Sequence, residues 1–341
     1  MAERLLARLR EHAGITASGY LCPPERIYGG YDTFIWGFRL AGAPPAWQGP
    51  LIVRVFRDSD GARRARFEGA AQTAIAQQAF PCPRPLYVEA DSDVLGGAFL
   101  IMPRVPGVPL LSAALRPSRL IFRLARLVAE SHAQLHRLDP SRMLNQLTEA
   151  GFDGSALKKG LWLPQLHRDV ESGPYERFEA GLRWLERHQP EPVPDVICHL
   201  DFHPINILTE DGKVTGVIDW ANASVGDPAA DVGTSWVLMA MGPIGDGWLA
   251  PLIDFGRRLM ADRYVASYRS MIPIPRERIR YYEAQRCFAA MLHVAMRRTS
   301  GEGPERGQYA WDQPAQVRMM TGHFKRVSGV ALPLQETAAP I

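Results

Sequence analysis

The sequence lacks the features that mark several common classes of protein. Its 341 residues contain four cysteines, Cys22, Cys82, Cys198 and Cys287, and no two of them have the CxxC spacing of zinc or redox sites. This scarcity argues against a disulfide framework and predicts reduced thiols. The net charge of +3 is too small to indicate a nucleic-acid partner.

Uninterrupted apolar segments are also missing. The longest candidate, residues 235–255, contains Gly242, Pro243, Gly245 and Pro251, so it does not predict a membrane span. Residues 1–11 are charged and amphipathic and lack the apolar stretch of a signal peptide. The sequence therefore predicts a cytoplasmic protein that does not bind a membrane.

Two well-known nucleotide-binding motifs, GxGxxG and GxxxxGK[ST], do not occur. The N-terminal part offers instead a turn at residues 29–33, with Gly29, Gly30 and Thr33. Backbone N–H groups in such a turn can wrap a triphosphate, because glycine lets the chain approach closely. Two-glycine hairpin turns are common, so the turn taken alone is a weak indication.

The N-terminal third predicts a small antiparallel α+β unit. A hairpin, a strand, a helix and two further strands follow one another at residues 26–40, 51–56, 63–78, 86–90 and 98–102. The segment Pro103 to Gly107 then interrupts the pattern and predicts a hinge.

From Pro117 onward the hydrophobic spacing becomes helical. Leu124, Val128 and Leu135 fall on one stripe, which predicts a long core helix, and residues 276–298 predict another. A hydrophobic content of 46% in 341 residues is enough for two domains. We expect an N-terminal nucleotide-binding lobe at residues 1–105 and a helical lobe with the acceptor site at residues 106–341.

The segment from His199 to Leu208 carries the strongest chemical signal. Asp201 and Asn206 lie five residues apart on one short loop, where the first can receive a substrate hydroxyl and the second can hold a metal of Mg-ATP. Asp219 follows the apolar run at residues 214–218. A carboxylate at the end of a buried strand usually has a functional role, because buried charges are rare without one. Asn206 and Asp219 suffice as protein ligands, because Mg²⁺ also takes phosphate oxygens and waters.

Two other interpretations of this segment remain open. His199, Asp201 and His203 alternate along the chain, as the ligands of a transition metal would on an extended segment. Against this, Pro204 interrupts a regular strand and Asp219 then has no role. In the purely structural interpretation, Asp201 is a turn residue and Asp219 is a surface charge.

The motif His199-x-Asp201-x-x-x-x-Asn206, followed by Ile218-Asp219-Trp220 and Gly226-Asp227-Pro228-x-x-Asp231, resembles the aminoglycoside phosphotransferase and choline kinase family. The resemblance extends from about residue 25 to about residue 300. It implies a two-lobed, protein-kinase-like α+β fold, with a small antiparallel-sheet N-lobe and a larger, mainly helical C-lobe. It also implies Mg²⁺ and ATP as cofactors, with GTP as the less favoured nucleotide.

The resemblance assigns roles to residues of the loop. Asp201 would be catalytic, Asn206 and Asp219 would bind the metal, and His199 and His203 would support the loop. Asp231 would hydrogen-bond the loop from below.

The resemblance also points to a cation in the N-terminal lobe. The family usually has a Lys on the third strand that pairs with the phosphates and with a helix Glu; here Arg54 and Glu68 occupy these positions. A guanidinium can bridge both partners. A surface-facing strand residue is the alternative for Arg54. The remaining nucleotide-binding residues would be Gly29, Gly30, Thr33 and Met102.

The implied reaction moves the γ-phosphoryl group to a hydroxyl of a small molecule, such as an aminoglycoside, a macrolide, a sugar or another hydroxylated metabolite. Arginines outnumber acids beyond residue 250, which disfavours a polycationic acceptor. Ala-Pro-Glu is absent, and the metal-binding Asp219 is followed by Trp220-Ala221 rather than by the Phe-Gly of a protein kinase, which argues against a protein kinase. The alternative is a nucleotide-binding pseudokinase that acts as a sensor or scaffold, which Arg54 would permit.

Overall fold

A computed structural model describes residues 1–27, 34–90, 94–116, 119–153, 163–243, 250–300, 310–332 and 334. Backbone contacts divide the chain into two compact units. Unit 1 comprises Met1–Arg116, Leu138–Leu157 and Ile205–Ala223, and unit 2 comprises Pro117–Arg137, Lys158–Pro204 and Ser224–Ile341. Both units are discontinuous in sequence, and the boundary expected after residue 105 stays a prediction.

The described helices and strands follow one another along the chain as α1 (Ala2–His12), β1 (Gly19–Ile27), β2 (Phe34–Ala41), β3 (Leu51–Phe56), α2 (Gly61–Ala76), β4 (Tyr87–Glu89), β5 (Ala98–Pro103), β6 (Val108–Pro109), α3 (Leu110–Ala114), α4 (Leu120–Leu135), α5 (Pro140–Glu149), α6 (Leu163–Glu171), α7 (Glu179–Arg187), β7 (Val196–Cys198), β8 (Ile207–Glu210), β9 (Lys213–Val217), β10 (Ser224–Gly226), α8 (Pro228–Met241), α9 (Ala250–Met271), α10 (Arg276–Ser300) and α11 (Pro314–Ser328). Short 3₁₀ turns occur at Pro45–Trp47, Glu176–Phe178 and Ala310–Asp312.

Unit 1 is built on a five-stranded antiparallel sheet in the order β1-β2-β3-β5-β4. The strands and the helix predicted from the sequence are all present, and α2 begins at Gly61, two residues before the predicted start. The predicted turn at residues 29–33 lies outside the described residues.

Side chains along β3 alternate between the two faces of the sheet, and this alternation determines the face on which Arg54 lies. Leu51, Val53 and Val55 enter a core cluster that α1 also covers, and each buried aliphatic side chain contributes roughly 1.5–3 kcal/mol. Phe56 packs in a second cluster with residues of α2. Because successive strand residues face opposite sides, Arg54 lies on the side that α2 covers.

The segment predicted as a hinge leads directly into β6, the first strand of a second, three-stranded sheet in the order β6-β8-β9. Gly107 has a φ of +100°, and a Cβ at this position would lie 2.4 Å from the carbonyl oxygen of Thr209. Only glycine combines this backbone conformation with so close an approach.

We expect Gly107→Ala to lower the free energy of unfolding by about 1–3 kcal/mol, because the new methyl group meets both the unfavourable φ and the backbone of β8. Gly212→Ala is the matched control. Gly212 has a φ of +73° but nothing within 4 Å of its Cβ position, so it reports the backbone strain alone. Urea unfolding of both variants measures the difference, and an equal loss in both would contradict the close contact at Thr209.

Unit 2 is mainly helical, as the change of periodicity predicts. Leu124, Val128 and Leu135 of α4 are buried, and a short antiparallel ribbon of β7 and β10 precedes α8. The helix α8 begins at Pro228, three residues before Asp231. The reason is that the Asp227 side chain accepts the Ala229 N–H at 2.8 Å and caps the helix at this point.

Within the described residues, no helix combines the length and the apolar character that crossing a bilayer requires.

Candidate functional site

Arg54 is the charged centre of the candidate site in unit 1. Its Nη1 donates to Glu68 Oε2 at 2.8 Å, and its Nη2 donates to Asp219 Oδ1 at 3.3 Å. The Arg54 side chain is only 12% exposed. The predicted pairing with Glu68 is therefore present, and the interpretation of Arg54 as a surface-facing strand residue is wrong.

No lysine precedes Lys158 in the chain, so the N-terminal strands hold no lysine to replace this arginine. The contact with Asp219 was not anticipated from the sequence. It places one guanidinium between a buried carboxylate and a carboxylate that is 43% exposed. A planar fork of donors suits such a bridge better than an ammonium does.

Asn206 and Asp219 flank the same end of the ribbon formed by β8 and β9. Ile207 pairs with Val217, and the Ile218 N–H donates to the Asn206 carbonyl oxygen at 2.9 Å, which extends the ladder by one step. An amide oxygen and a carboxylate are hard donors of the kind that Mg²⁺ prefers, so the residues present fit that ion.

Asp219 leaves the ribbon in an unusual backbone conformation. Its φ of +68° lies in the left-handed region, which few residues other than Gly, Asn and Asp enter. Trp220 is fully buried and its Nε1 donates to the Val217 carbonyl oxygen at 3.0 Å, which fixes the chain on the far side of Asp219.

Glu68 is fully buried in the middle of α2, and its Oε1 has no hydrogen-bond partner in the described part of the chain. Burial raises the pKa of this carboxyl to about 7; Arg54 opposes the shift and the charge of Asp219 adds to it. The folded protein therefore binds this proton more tightly than the unfolded chain.

This shift predicts a pH-dependent stability. Because the native pKa lies above the unfolded value of 4.5, the native state loses stability as the pH rises from 4.5 through 7. The loss is on the order of 3 kcal/mol at most. Urea unfolding at pH 5 and pH 8 should show a steeper decline for the parent than for Glu68→Gln. Equal declines would show that Glu68 does not carry the shift.

Other predicted nucleotide-binding residues have different outcomes. Gly29, Gly30 and Thr33 lie outside the described residues. Met102 lies on β5 opposite Ile52 of β3 and is 8% exposed, in the cluster that packs on α2. Its role in binding a nucleotide stays a prediction.

In unit 2, Asp231 anchors the loop that carries Asp201. Its Oδ2 accepts the His199 N–H at 2.6 Å, and its Oδ1 accepts the Leu200 N–H at 2.8 Å. Leu200 has a φ of +58°, which is rare for a non-glycine residue. Two charge-assisted hydrogen bonds therefore hold a strained backbone directly before Asp201.

Asp201 is held by its two histidine neighbours. Its N–H donates to His199 Nδ1 at 3.2 Å, and His203 Nε2 lies 3.4 Å from Asp201 Oδ1. The Asp201 side chain is 25% exposed, whereas His199 is completely buried. His199 thus contacts the loop backbone, as the resemblance implied, and Asp201 keeps access to solvent.

The interpretation of His199, Asp201 and His203 as metal ligands finds no support. His199 uses Nδ1 to accept the Asp201 N–H, so this lone pair does not face the other two side chains. Among the residues that the structure describes, the three-donor group close enough to hold a metal is His132, His136 and Asp231.

These two histidines, with Tyr264 and Tyr268, are the residues near the loop that sequence reasoning missed. His132 lies on α4 and His136 is the residue that directly follows this helix, four positions later, and the tyrosines are also four positions apart, on α9. This shared spacing of four residues is the signal that could have paired them.

Four of the arginines beyond residue 250 are bound by other groups of the protein. Arg257 donates to the Met239 carbonyl oxygen, Arg278 to Asp227, and Arg298 to Asp312, at 3.0, 2.8 and 2.8 Å. Arg276 is bound to Glu283. Their count in the sequence is therefore weak evidence against a polycationic acceptor.

Burial also settles the character of Cys198, which precedes the loop. Its thiol is buried, and burial raises its pKa well above the usual value. A thiol of this kind is a poor nucleophile, so Cys198 is a core residue, as the sequence suggested.

Comparisons with known proteins identify relatives of this chain. The mouse protein named acyl-CoA dehydrogenase family member 10 is 30% identical over 172 residues, which are 48% of this chain. The matched segment is 15% of that protein, and the chain likewise spans about a fifth of the related human protein, family member 11.

Solved structures match nearly the whole chain. A Ralstonia eutropha structure assigned as a candidate aminoglycoside phosphotransferase has a TM-score of 0.64 and 18% identity, and it covers 97% of this chain and 99% of its own. The aminoglycoside phosphotransferase APH(4)-Ia, as a thermostable mutant with AMP-PNP and hygromycin B, has a TM-score of 0.59 and 17% identity over 96% of this chain and 98% of its own.

These likenesses confirm the predicted protein-kinase-like α+β fold, with an antiparallel sheet and a mainly helical remainder. A profile described as "Phosphotransferase enzyme family" matches residues 45–268, which include both β3 and the Asp201 loop. The chain belongs to the phosphotransferase enzyme family.

Proposed function

We propose that this protein transfers the γ-phosphoryl group of ATP to a hydroxyl group of a small molecule. The observation that carries the proposal is the bridge from Glu68 through Arg54 to Asp219, because it places a cation beside the carboxylate of a ribbon that also ends in Asn206. Phosphoryl transfer depends mainly on positioning and on neutralising charge, so a few such residues suffice.

Each residue has a defined part in this proposal. Asp201 accepts or orients the acceptor hydroxyl, and Arg54 contacts phosphate oxygens. Asn206 and Asp219 would hold Mg²⁺, which when bound neutralises charge on the phosphates. Asp231 and His199 keep the loop in place through the hydrogen bonds described above.

The nucleotide in this proposal is ATP. The APH(4)-Ia structure holds AMP-PNP, an ATP analogue, which supports an adenine nucleotide for this chain. Titration with ATP and GTP in the presence of Mg²⁺ tests the choice, and we expect tighter binding of ATP. Tighter binding of GTP would reverse the preference but leave the reaction class intact.

The proposed acceptor is a hydroxylated small molecule, and a panel of candidate acceptors can identify its chemical class. ADP release with Mg-ATP should be measured across an aminoglycoside, a macrolide, a sugar and a hydroxyacyl thioester, the last because of the acyl-CoA dehydrogenase name of the mouse relative. We expect one class to raise ADP release well above the rate with water. Stimulation by none of them, with nucleotide bound, would contradict the proposed function.

A pseudokinase is the second candidate, and one contact favours it. The 3.3 Å bond from Arg54 to Asp219 occupies the carboxylate that would otherwise face the metal. In a pseudokinase this contact would persist with nucleotide present, so Mg²⁺ would not improve nucleotide affinity. In the phosphotransferase, Mg²⁺ improves it.

Substitutions of Arg54 test its role. We expect Arg54→Lys to keep measurable activity, since the charge survives, and Arg54→Ala to raise the Michaelis constant for ATP sharply. Each charge-assisted contact contributes on the order of 1.5–3 kcal/mol. Steady-state kinetics at varied ATP concentration measure both variants.

A double-mutant cycle with Glu68→Ala measures the coupling between the two side chains. Because the pair is hydrogen-bonded at 2.8 Å, we expect the effects to be non-additive. Additive effects, or an Arg54→Ala variant with the parent's Michaelis constant, would show that Arg54 does not contact the nucleotide.

A further inference from the structure

A buried polar cluster lies directly behind the Asp231 anchor in unit 2. His132 Nδ1 lies 2.6 Å from the Tyr264 hydroxyl, and His136 Nδ1 lies 2.6 Å from the Tyr268 hydroxyl. The opposite ring nitrogens, both Nε2, lie 2.9 and 3.2 Å from the same oxygen, Asp231 Oδ2. Two tyrosine–histidine pairs therefore converge on one carboxylate.

The carboxylate decides which ring nitrogen carries hydrogen. The neighbouring histidines hold the pKa of Asp231 well below its usual value against the effect of burial, so this group is an anion that only accepts hydrogen bonds. Its oxygens already accept the N–H groups of His199 and Leu200. A ring nitrogen facing such an oxygen with a lone pair would be repelled, so each Nε2 carries hydrogen.

The tyrosines complete this assignment. Burial lowers the pKa of His132 to about 4, so the ring is neutral at pH 7 and its Nδ1 has a lone pair. Burial also raises the pKa of the Tyr264 and Tyr268 hydroxyls above the ordinary value, so both keep their hydrogen. The Tyr264 O–H therefore donates to His132 Nδ1. The Tyr268 O–H likewise donates to His136 Nδ1.

We propose that Tyr264 and Tyr268 are positioning residues that fix the His132 and His136 rings in the Nε2–H form beside Asp231 and so hold its carboxylate against the backbone of the Asp201 loop. The His136 ring N–H meets hydrogen-bond geometry with Asp231 Oδ2, whereas His132 Nε2 lies 2.9 Å from that oxygen outside this geometry. Phe202, the residue after Asp201, stacks on the His132 ring at 4.1 Å and 13°, which ties the ring to the loop a second time. The effect on transfer rate rests on the proposed function; the tautomer does not.

A metal site built from the same residues is the competing explanation. It would need lone pairs on both Nε2 atoms directed at the ion, whereas His136 Nε2 meets the hydrogen-bond geometry with Asp231. His132, His136 and Asp231 are all buried, so the cluster also has no open face for exchange. The donor arrangement fits a hydrogen-bonded relay better.

Long-range ¹H–¹⁵N NMR of the histidine rings tests the proposal in the parent protein at pH 7. We expect His132 to show a protonated Nε2 and an unprotonated Nδ1. The Nδ1–H tautomer, or about one equivalent of zinc retained after dialysis against chelator, would overturn the proposal. This readout needs no activity, so it stands even if no acceptor is phosphorylated.

Tyr264→Phe should shift the His132 Nδ1 signal, because that nitrogen loses its hydrogen-bond donor, and speed hydrogen exchange of the Leu200 amide. It should lower the turnover number about tenfold while the Michaelis constant for ATP stays within about twofold. Tyr281→Phe is the matched control, since its hydroxyl is also buried but donates to the Leu185 carbonyl oxygen at 3.0 Å. Unchanged His132 signals in Tyr264→Phe, or an equal loss of turnover in the control, would overturn the positioning role.

Discussion

Asp201→Ala should lower the rate of phosphoryl transfer by at least about a hundredfold while nucleotide affinity stays nearly unchanged. The reason is that Asp201 is partly exposed on a loop whose backbone Asp231 and His199 already hold. Losing its side chain removes the group that receives the acceptor hydroxyl but leaves the loop anchored. A coupled ADP assay measures the rate, and calorimetric titration measures the affinity.

Asp201→Asn is the matched variant, since it keeps the shape of the side chain and removes its ability to take a proton. We expect a loss of similar size. Activity equal to the parent in either variant would refute the assignment of Asp201 as the catalytic group.

Asp219→Asn should abolish most of the Mg²⁺-dependent part of nucleotide affinity, because Asp219 is the only charged residue of the proposed metal pair. Asparagine tolerates the left-handed conformation that Asp219 adopts, with φ of +68°, so the change isolates the charge from the backbone. Calorimetric titrations with and without Mg²⁺ measure the effect.

Asp211→Asn is the control for this change. Asp211 sits at the turn between β8 and β9, the opposite end of the same ribbon, and also has a positive φ of +50°. We expect its Mg-ATP affinity to equal that of the parent. If Asp219→Asn also kept full Mg-ATP affinity, the metal site would lie elsewhere. The interpretation of residues 199–203 as a metal-binding segment would then be favoured.

The sequence predicted the parts of the site that depend on local order along the chain. The Arg54–Glu68 pair followed from the family resemblance, in a strand and a helix that the local pattern predicted, and the two residues are only 14 apart in the chain. The Asp231 contact with the loop followed from the family resemblance. Local pattern and family spacing together were therefore enough for these contacts.

Contacts between distant segments could not be predicted in this way. Arg54 and Asp219 are 165 residues apart, and His132 and Tyr264 are 132 apart. Their meeting depends on how whole elements pack, which one sequence does not encode locally. The positive φ of Leu200 has the same origin, since surrounding contacts impose a conformation that leucine rarely adopts.

Charge counting misled for a related reason. The sequence shows an arginine excess beyond residue 250, but packing binds Arg257, Arg278 and Arg298 to carbonyl oxygens and carboxylates of the protein itself. A count of charges predicts a surface only where the side chains remain exposed. The acceptor must therefore be identified by chemistry rather than by composition.

The most direct test of the central claim is the fate of the γ-phosphate. The protein should be incubated with Mg²⁺, ATP labelled at the γ-phosphate and a cellular metabolite extract, beside the Asp201→Ala variant. We predict that the parent moves label from ATP onto a small organic molecule and that the variant does not, although both bind the nucleotide. Label that stays on ATP, or appears only as inorganic phosphate, while the parent protein binds Mg-ATP would contradict the account.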